Sequence, residues 1–139
     1  MKGKVALITG GTYGIGYGIA EVLLRGGCKV AITGRKESKT VEAAEKLAAE
    51  TQGETLGVSG DVRSAKDMET ICNKVTDKFG KLDVVVANAG VGHFGSIEEL
   101  SLDEWNQTID TNLTGVFNTV KAAVPEIKKS KGYIITIAS

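Results

Sequence analysis

The string Thr9-Gly10-Gly11-Thr12-Tyr13-Gly14-Ile15-Gly16 has the residue types and spacing to hold an anion. Gly10 permits a tight turn, Gly14 lets backbone approach a phosphate, and Gly16 lets a following helix lie close to the preceding strand. Gly11 reads as loop filler. The apolar run Val5-Ala6-Leu7-Ile8 in front of the string reads as a buried strand. Behind it, Ile15, Ile19, Val22 and Leu23 have the spacing of a helix face. The glycines therefore occupy a strand-to-helix turn, where unpaired N–H groups and the positive end of a helix dipole face whatever binds. The chemistry is that of phosphate binding. No Gly-Lys-Ser/Thr follows the glycines, which excludes a P-loop.

Strand and helix signals alternate along the whole chain and define the elements that must position this turn. Gly26-Gly27 ends the first helix, and Lys29–Thr33 reads as the second strand. A charged, alanine-rich helix runs from Glu37 to about Glu50, with Val41, Ala44 and Leu47 on one face. Thr55–Ser59 reads as a weaker third strand closed by Gly60-Asp61, and Ser64 caps a helix carrying Met68, Ile71, Val75 and Phe79. Leu82–Ala87 is the strongest strand, continuously apolar as central parallel strands are. A glycine-rich loop from Asn88 leads to Ser101-Leu-Asp-Glu104, which has capping-box spacing and opens a long helix. Its apolar stripe is Trp105, Ile109, Leu113, Val116, Val120 and Val124, and Pro125 is expected to bend or end it. Tyr133–Ala138 reads as a fifth buried strand, with Ser139 after it.

Five such strands joined by right-handed crossovers predict a doubly wound α/β sheet in the order 3-2-1-4-5. A ligand belongs at its switch point, at the carboxyl ends of strands one and four. Those ends carry the glycine turn, Gly34-Arg35, Gly60-Asp61, Asn88-Ala89-Gly90 and Ser139. His93 lies in the loop above and reads as an exposed loop residue. Asn112 falls within an apolar helix stripe, where an amide needs a partner to avoid a cost of about 1–3 kcal/mol.

These residues resemble the short-chain dehydrogenases/reductases over the whole chain, and NADP-using carbonyl reductases such as 3-oxoacyl-carrier-protein reductase in particular. The glycine string is similar to that family's TGxxxGIG loop, Asp61-Val62 to its adenine-reading pair, and Asn88-Ala89-Gly90 to its NAG motif. Asn112 and Ser139 match its active-site asparagine and serine. The resemblance implies a Rossmann-type dinucleotide-binding domain over 1–139. In it Gly10, Thr12, Tyr13, Gly14, Ile15 and Gly16 hold the phosphates and ribose. Asp61 and Val62 meet the adenine, and Asn88, Ala89 and Gly90 line the ribose and nicotinamide. It implies hydride transfer between a nicotinamide and a carbonyl or alcohol, with Asn112 ordering a proton relay and Ser139 bonding the substrate oxygen. The family's Tyr-x-x-x-Lys is not present, because four residues after Tyr13, Tyr17 and Tyr133 stand Tyr17, Glu21 and Ile137. The expectation is thus the N-terminal part of a longer enzyme, incomplete relative to the family fold. A module that binds cofactor without turnover is the alternative. The second strand ends in Gly34-Arg35-Lys36 rather than an acidic residue, so NADP is expected over NAD. The long helix resembles the family's subunit-contact helix, which implies a homo-oligomer.

Composition narrows the classes. Seventeen basic residues balance 17 acidic ones, so no global field points to nucleic acid or an anionic membrane. No apolar run is long enough to span a bilayer. Cys28 and Cys72 form no Cys-x-x-Cys and read as reduced thiols of a cytoplasmic protein. His93 is the single histidine, and no metal site is expected.

Overall fold

The computed structural model describes residues 1–138, so the Ser139 expectation lies outside the described residues. Five parallel strands, β1 (Val5–Ile8), β2 (Lys29–Gly34), β3 (Thr55–Ser59), β4 (Val84–Ala87) and β5 (Tyr133–Thr136), pair in the order β3-β2-β1-β4-β5. Helices α1 (Gly14–Arg25), α2 (Glu37–Thr51), α3 (Ala65–Phe79), α4 (Leu102–Ile109) and α5 (Gly115–Ser130) connect them. This is the doubly wound Rossmann-type arrangement that the alternation predicts.

The pleat sorts the core into two layers. Val5, Leu7, Ala31 and Val85 point to one face and pack against Met68, Ile71 and Val75 of α3 and Ala123 and Ile127 of α5. Ala6, Ile8, Val30, Ile32, Val84 and Val86 point to the other, against Ala20 and Leu24 of α1 and Ala43, Ala44 and Leu47 of α2. Strands covered on both sides need apolar residues at every position, which is why β1, β2 and β4 read as continuous runs. The two free cysteines are buried in different layers, Cys28 with α1 and α2 and Cys72 with α3 and α5. Burial pushes the Cys72 thiol up to about 11.

Four expectations are corrected. The buried face of α1 is Gly16, Ala20 and Leu24, while Ile15 and Val22 are exposed. A Cβ on Gly16 would collide with the Gly10 carbonyl, so the first turn of the helix meets the end of β1 through bare backbone. The stripe of the long helix is likewise not its most buried face: Trp105 and Leu113 are exposed, Ile109, Val116, Val120 and Val124 are half-buried, and Gly115, Asn118, Thr119, Ala123 and Ile127 are buried instead. Pro125 does not end that helix, because Ala123 and Ile127 on either side anchor it to the core through Ser130. The interruption comes earlier, as a π-helical turn over Asp110–Thr114 closed by the Gly115 N–H on the Asp110 carbonyl. Lastly β5 is exposed at every residue, since it is the last strand of the sheet among those described.

Asp83 ties the amino ends of the strands together. Its carboxylate is almost fully buried, accepts the Val5 N–H at 2.8 Å, and meets Lys81 at 3.1 Å and Lys4 at 3.6 Å. Its own N–H donates to the Val5 carbonyl and its carbonyl accepts from Tyr133, so one residue joins β1, β4 and β5. Burial acts to raise its pKa, but the Val5 N–H and the two ammonium groups outweigh that and hold the carboxyl below its ordinary value. A depressed pKa means stability that is present above about pH 4 and is lost as pH falls through the folded-state pKa. We expect Asp83→Ala to cost about 2–4 kcal/mol at pH 7, because it strands a buried N–H. The gap between the urea midpoints of wild type and variant should narrow as pH is lowered below about 4 and the carboxylate takes up its proton.

Candidate functional site

Four loops meet at the carboxyl ends of β1 to β4, and they do so through backbone contacts that the glycines permit. Gly10 has φ +65°, and a Cβ there would stand 2.9 Å from the Ala89 Cα. Gly14 has φ +60° with no heavy atom within 4 Å of a Cβ position, leaving open space above the backbone. A Cβ on Gly16 would collide with the Gly10 carbonyl and lie 2.5 Å from the Asn88 amide nitrogen. Gly11 is not filler, because its Cβ would lie 2.7 Å from two atoms of Ile32 while its N–H donates to the Thr33 carbonyl.

Thr9 and Asn88 lock β1 to β4 reciprocally. The buried Thr9 Oγ1 accepts the N–H groups of Asn88 and Ala89 at 3.0 and 3.1 Å. The Asn88 Nδ2 donates to the Thr9 and Gly10 carbonyls, both at 3.1 Å. The Gly60 N–H donates to the Gly34 carbonyl and extends the linkage to β3. A cavity of about 540 Å³ opens over these ends. Of the residues expected to contact a nucleotide, Gly10, Thr12, Tyr13, Arg35, Asp61, Val62, Ala89 and Gly90 line it. Gly14, Ile15, Gly16 and Asn88 stand behind or beside the lining, and the last two act through packing and the strand lock.

Charge in the cavity is lopsided. Arg35, Lys36, Lys39 and Arg63 line it against the single carboxylate of Asp61. Gly34 ends β2 without a side chain, and a Cβ there would crowd Thr12 and Thr40 at 2.6 and 2.8 Å. The helices α1 and α2 begin at Tyr13 and Lys36 without any side-chain cap. By contrast, Ser64 caps α3 by accepting the Asp67 N–H, and Ser101 caps α4 in a complete capping box with Glu104. Both of these N-cap residues line the cavity, where N–H groups of a first helical turn can meet an anion.

The Asp61-Val62 pair is set by α5. A Cβ on Gly115 would stand 2.6 Å from a Val62 methyl carbon, so only glycine lets the helix lie this close, and Asn118 donates to the Val62 carbonyl at 2.9 Å. Asp61 is held by Arg63, whose N–H and guanidinium together make four hydrogen bonds to its carboxylate at 2.6–3.1 Å. That grip draws the Asp61 carboxyl below its usual range, with the Arg35 charge adding to the effect.

Asn112 sits in the π-helical turn and is exposed rather than part of a buried stripe. Its amide is nonetheless paired. Its Oδ1 accepts the Val91 N–H and its Nδ2 donates to the Val91 carbonyl, each at 2.8 Å, which pins the loop after Gly90. His93 is half-buried rather than exposed, with Nδ1 3.2 Å from the Thr108 hydroxyl. The same hydroxyl lies 2.9 Å from the Glu104 carbonyl of its own helix, which places His93 against the first turns of α4. Sequence reasoning missed Thr9, Lys39, Arg63 and Asn118. The one local signal was Arg63 two residues after Asp61, the spacing of an Asx turn. Among the described residues, no cluster of His, Cys, Asp and Glu could hold a metal ion, and no helix is long and apolar enough to cross a membrane.

A switch-point cavity on a 3-2-1-4-5 sheet, with a glycine turn and a cationic wall, defines a Rossmann-type protein. The chain matches the short chain dehydrogenase family over residues 4–139 and belongs to it. It is 38% identical to the peroxisomal 2,4-dienoyl-CoA reductase of Saccharomyces cerevisiae, over 99% of this chain and 48% of that protein. It is 36% identical to the D-beta-hydroxybutyrate dehydrogenase of Cupriavidus necator, over 100% of this chain and 54% of that one. An alcohol dehydrogenase from Thermococcus sibiricus, solved with 5-hydroxy-NADP, superposes with a TM-score of 0.90 at 40% identity. That match covers 96% of this chain and 57% of the archaeal one. The chain thus spans about half the length of the curated relatives it matches.

The strand lock generates a measurable expectation. Thr9→Val keeps the shape but leaves the Asn88 and Ala89 N–H groups without an acceptor, and should cost about 2–4 kcal/mol of stability. Urea unfolding reads this directly, and an unchanged midpoint would show that the lock is dispensable.

Proposed function

We propose that residues 1–139 are the dinucleotide-binding domain of an NADP-dependent oxidoreductase that moves hydride between the nicotinamide and a carbonyl or alcohol. The observation that carries this reading is the wall of Arg35, Lys36 and Lys39 beside a β2 end that bears no carboxylate. An acidic residue there would favour ribose hydroxyls and repel a 2′-phosphate, whereas a guanidinium holds a phosphate through parallel hydrogen bonds. The positive φ at Gly10 and Gly14, the open space above Gly14 and the uncapped start of α1 fit a pyrophosphate. The solved relative with 5-hydroxy-NADP supports the same choice.

In this reading the bound cofactor supplies the hydride donor or acceptor, and the chain supplies orientation. Gly10, Thr12, Tyr13, Gly14, Ile15 and Gly16 surround the phosphates, and Arg35 takes the 2′-phosphate. Asp61 and Val62 face the adenine, and Asn88, Ala89 and Gly90 border the ribose and nicotinamide. Ser139 hydrogen-bonds the substrate oxygen and Asn112 orders the proton path. Proton delivery to that oxygen needs an acid such as the family's Tyr-x-x-x-Lys tyrosine, which these residues do not contain. The relatives named above act on chemically different small molecules, so the substrate is assigned only as a carbonyl or alcohol. The exposed face of Trp105, Leu113 and Phe117 is assigned to contact between copies of the chain, in a homo-oligomer. Two buried free thiols favour a cytoplasmic setting.

Direct titration with NADPH and NADH, followed by the cofactor's fluorescence, tests the reading. NADPH should bind about tenfold or more tightly, and Arg35→Asp should weaken it by about 10–100-fold, the range for losing a charged hydrogen bond. Equal affinities for the two cofactors, or an Arg35→Asp variant that binds NADPH unchanged, would overturn the assignment. The subunit face is checked separately: Phe117→Glu should reduce the mass seen by light scattering if that face joins two copies.

A further inference from the structure

The contact between Arg63 and Asp61 raises a question that cofactor binding alone does not answer. Asp61 is the one carboxylate in a cavity whose other charges are positive. Arg63 takes up both of its oxygens: the backbone N–H and Nε reach Oδ1 at 3.0 and 3.1 Å, and Nε and Nη2 reach Oδ2 at 3.0 and 2.6 Å. With Nε shared between the two oxygens, these three donors use about three of the roughly four acceptor positions a carboxylate offers, which leaves no oxygen pair free for a second guanidinium fork. Arg35 lines the same cavity and lies close enough for its charge to act on Asp61. Yet among the described residues Arg35, Lys36 and Lys39 form no ion pair, while Arg63 forms one.

We infer that Arg63 is a specificity-determining positioning residue: by occupying Asp61 it keeps Arg35 unpaired for a 2′-phosphate and screens that phosphate from the carboxylate. The inference rests on the NADP reading and adds to it a residue that touches no part of the phosphate. Without Arg63, the fork of Arg35 shares its cavity with an uncovered carboxylate. A guanidinium pairs with a carboxylate as readily as with a phosphate, and the two would compete. The uncovered negative charge would also repel the phosphate across the cavity. Arg63 itself is half-exposed, and Ser64 caps α3 independently of it, so its loss leaves the fold's own contacts in place.

The test is the ratio of NADH to NADPH dissociation constants, measured on the whole protein for wild type, Arg63→Ala, Arg63→Lys, Asp61→Asn and the Asp61→Asn/Arg63→Ala pair. Arg63→Ala should lower the preference for NADPH about tenfold, through weaker NADPH binding with NADH little changed. Arg63→Lys should fall between, since it keeps the charge and loses the fork. In the Asp61→Asn background the Arg63→Ala effect on the ratio should vanish, because there is no carboxylate left to cover. The adenine contact that Asp61→Asn alters is common to both cofactors and cancels in the ratio. An undiminished effect in that background would mean that Arg63 meets the phosphate itself, and overturns the inference. A wild type that prefers NADPH with Arg63→Ala unchanged overturns it while leaving the NADP reading intact. A wild type without preference removes both. Thermal melts of each variant identify any change that is only a loss of fold.

Discussion

Everything at the carboxyl ends of the sheet depends on how closely β1 and β4 are held as their chains part. The Thr9 hydroxyl and the Asn88 amide satisfy each other's backbones across that gap, and Gly10 and Gly16 leave room for them to do so. Neither partner could be replaced by an apolar residue without stranding buried donors or acceptors, each of which costs about 1–3 kcal/mol. The lock fixes the glycine turn against the Asn88-Ala89-Gly90 loop, and hence the floor of the cavity. Without it, the apolar strands below would still pair, but the turn above them would have no defined height.

The walls follow from a different constraint, the need to keep donors unspent. A folded chain pairs nearly all of its buried polar groups. Here the starts of α1 and α2 are left without side-chain caps, and three cations line the cavity without an ion pair among the described residues. The chain shows elsewhere that it can cap a helix, at Ser64 and Ser101. These donors are exposed and bond water, which an anion entering the cavity would displace.

The sheet order, and with it the edge where the cavity opens, was legible in the sequence because alternation and strand apolarity are local signals. The same local reading misplaced the helix faces. Ile15, Val22, Trp105 and Leu113 are large and apolar at helical spacing, yet they face outward. Many of the true contacts are made by Gly16, Ala20, Gly115 and Ala123, beside the larger Leu24 and Ile127, and these small residues carry little or no hydrophobic signal. Close helix-to-sheet approach selects for small residues, and a pattern that weighs size points to the opposite face. Asn112 is the same lesson in polar form: its partner is the backbone of Val91, 21 residues away, which no periodicity reveals. The four hydrogen bonds between Arg63 and Asp61 were hidden for a simpler reason, since spacing suggests a turn but cannot say which acceptors a long side chain will fill.

The sheet also separates the two cysteines. Cys28 belongs to one packed layer and Cys72 to the other, with the strands between them. No disulfide can join them without dismantling the sheet, so oxidation cannot staple the native fold within one chain. Each thiol is instead sheltered by its own pair of helices, and Cys72 is kept protonated by burial. The rate at which a thiol reagent reaches each one is a clock for the opening of that layer alone. Two faces that must come apart together to unfold can thereby be timed separately while the protein is still native.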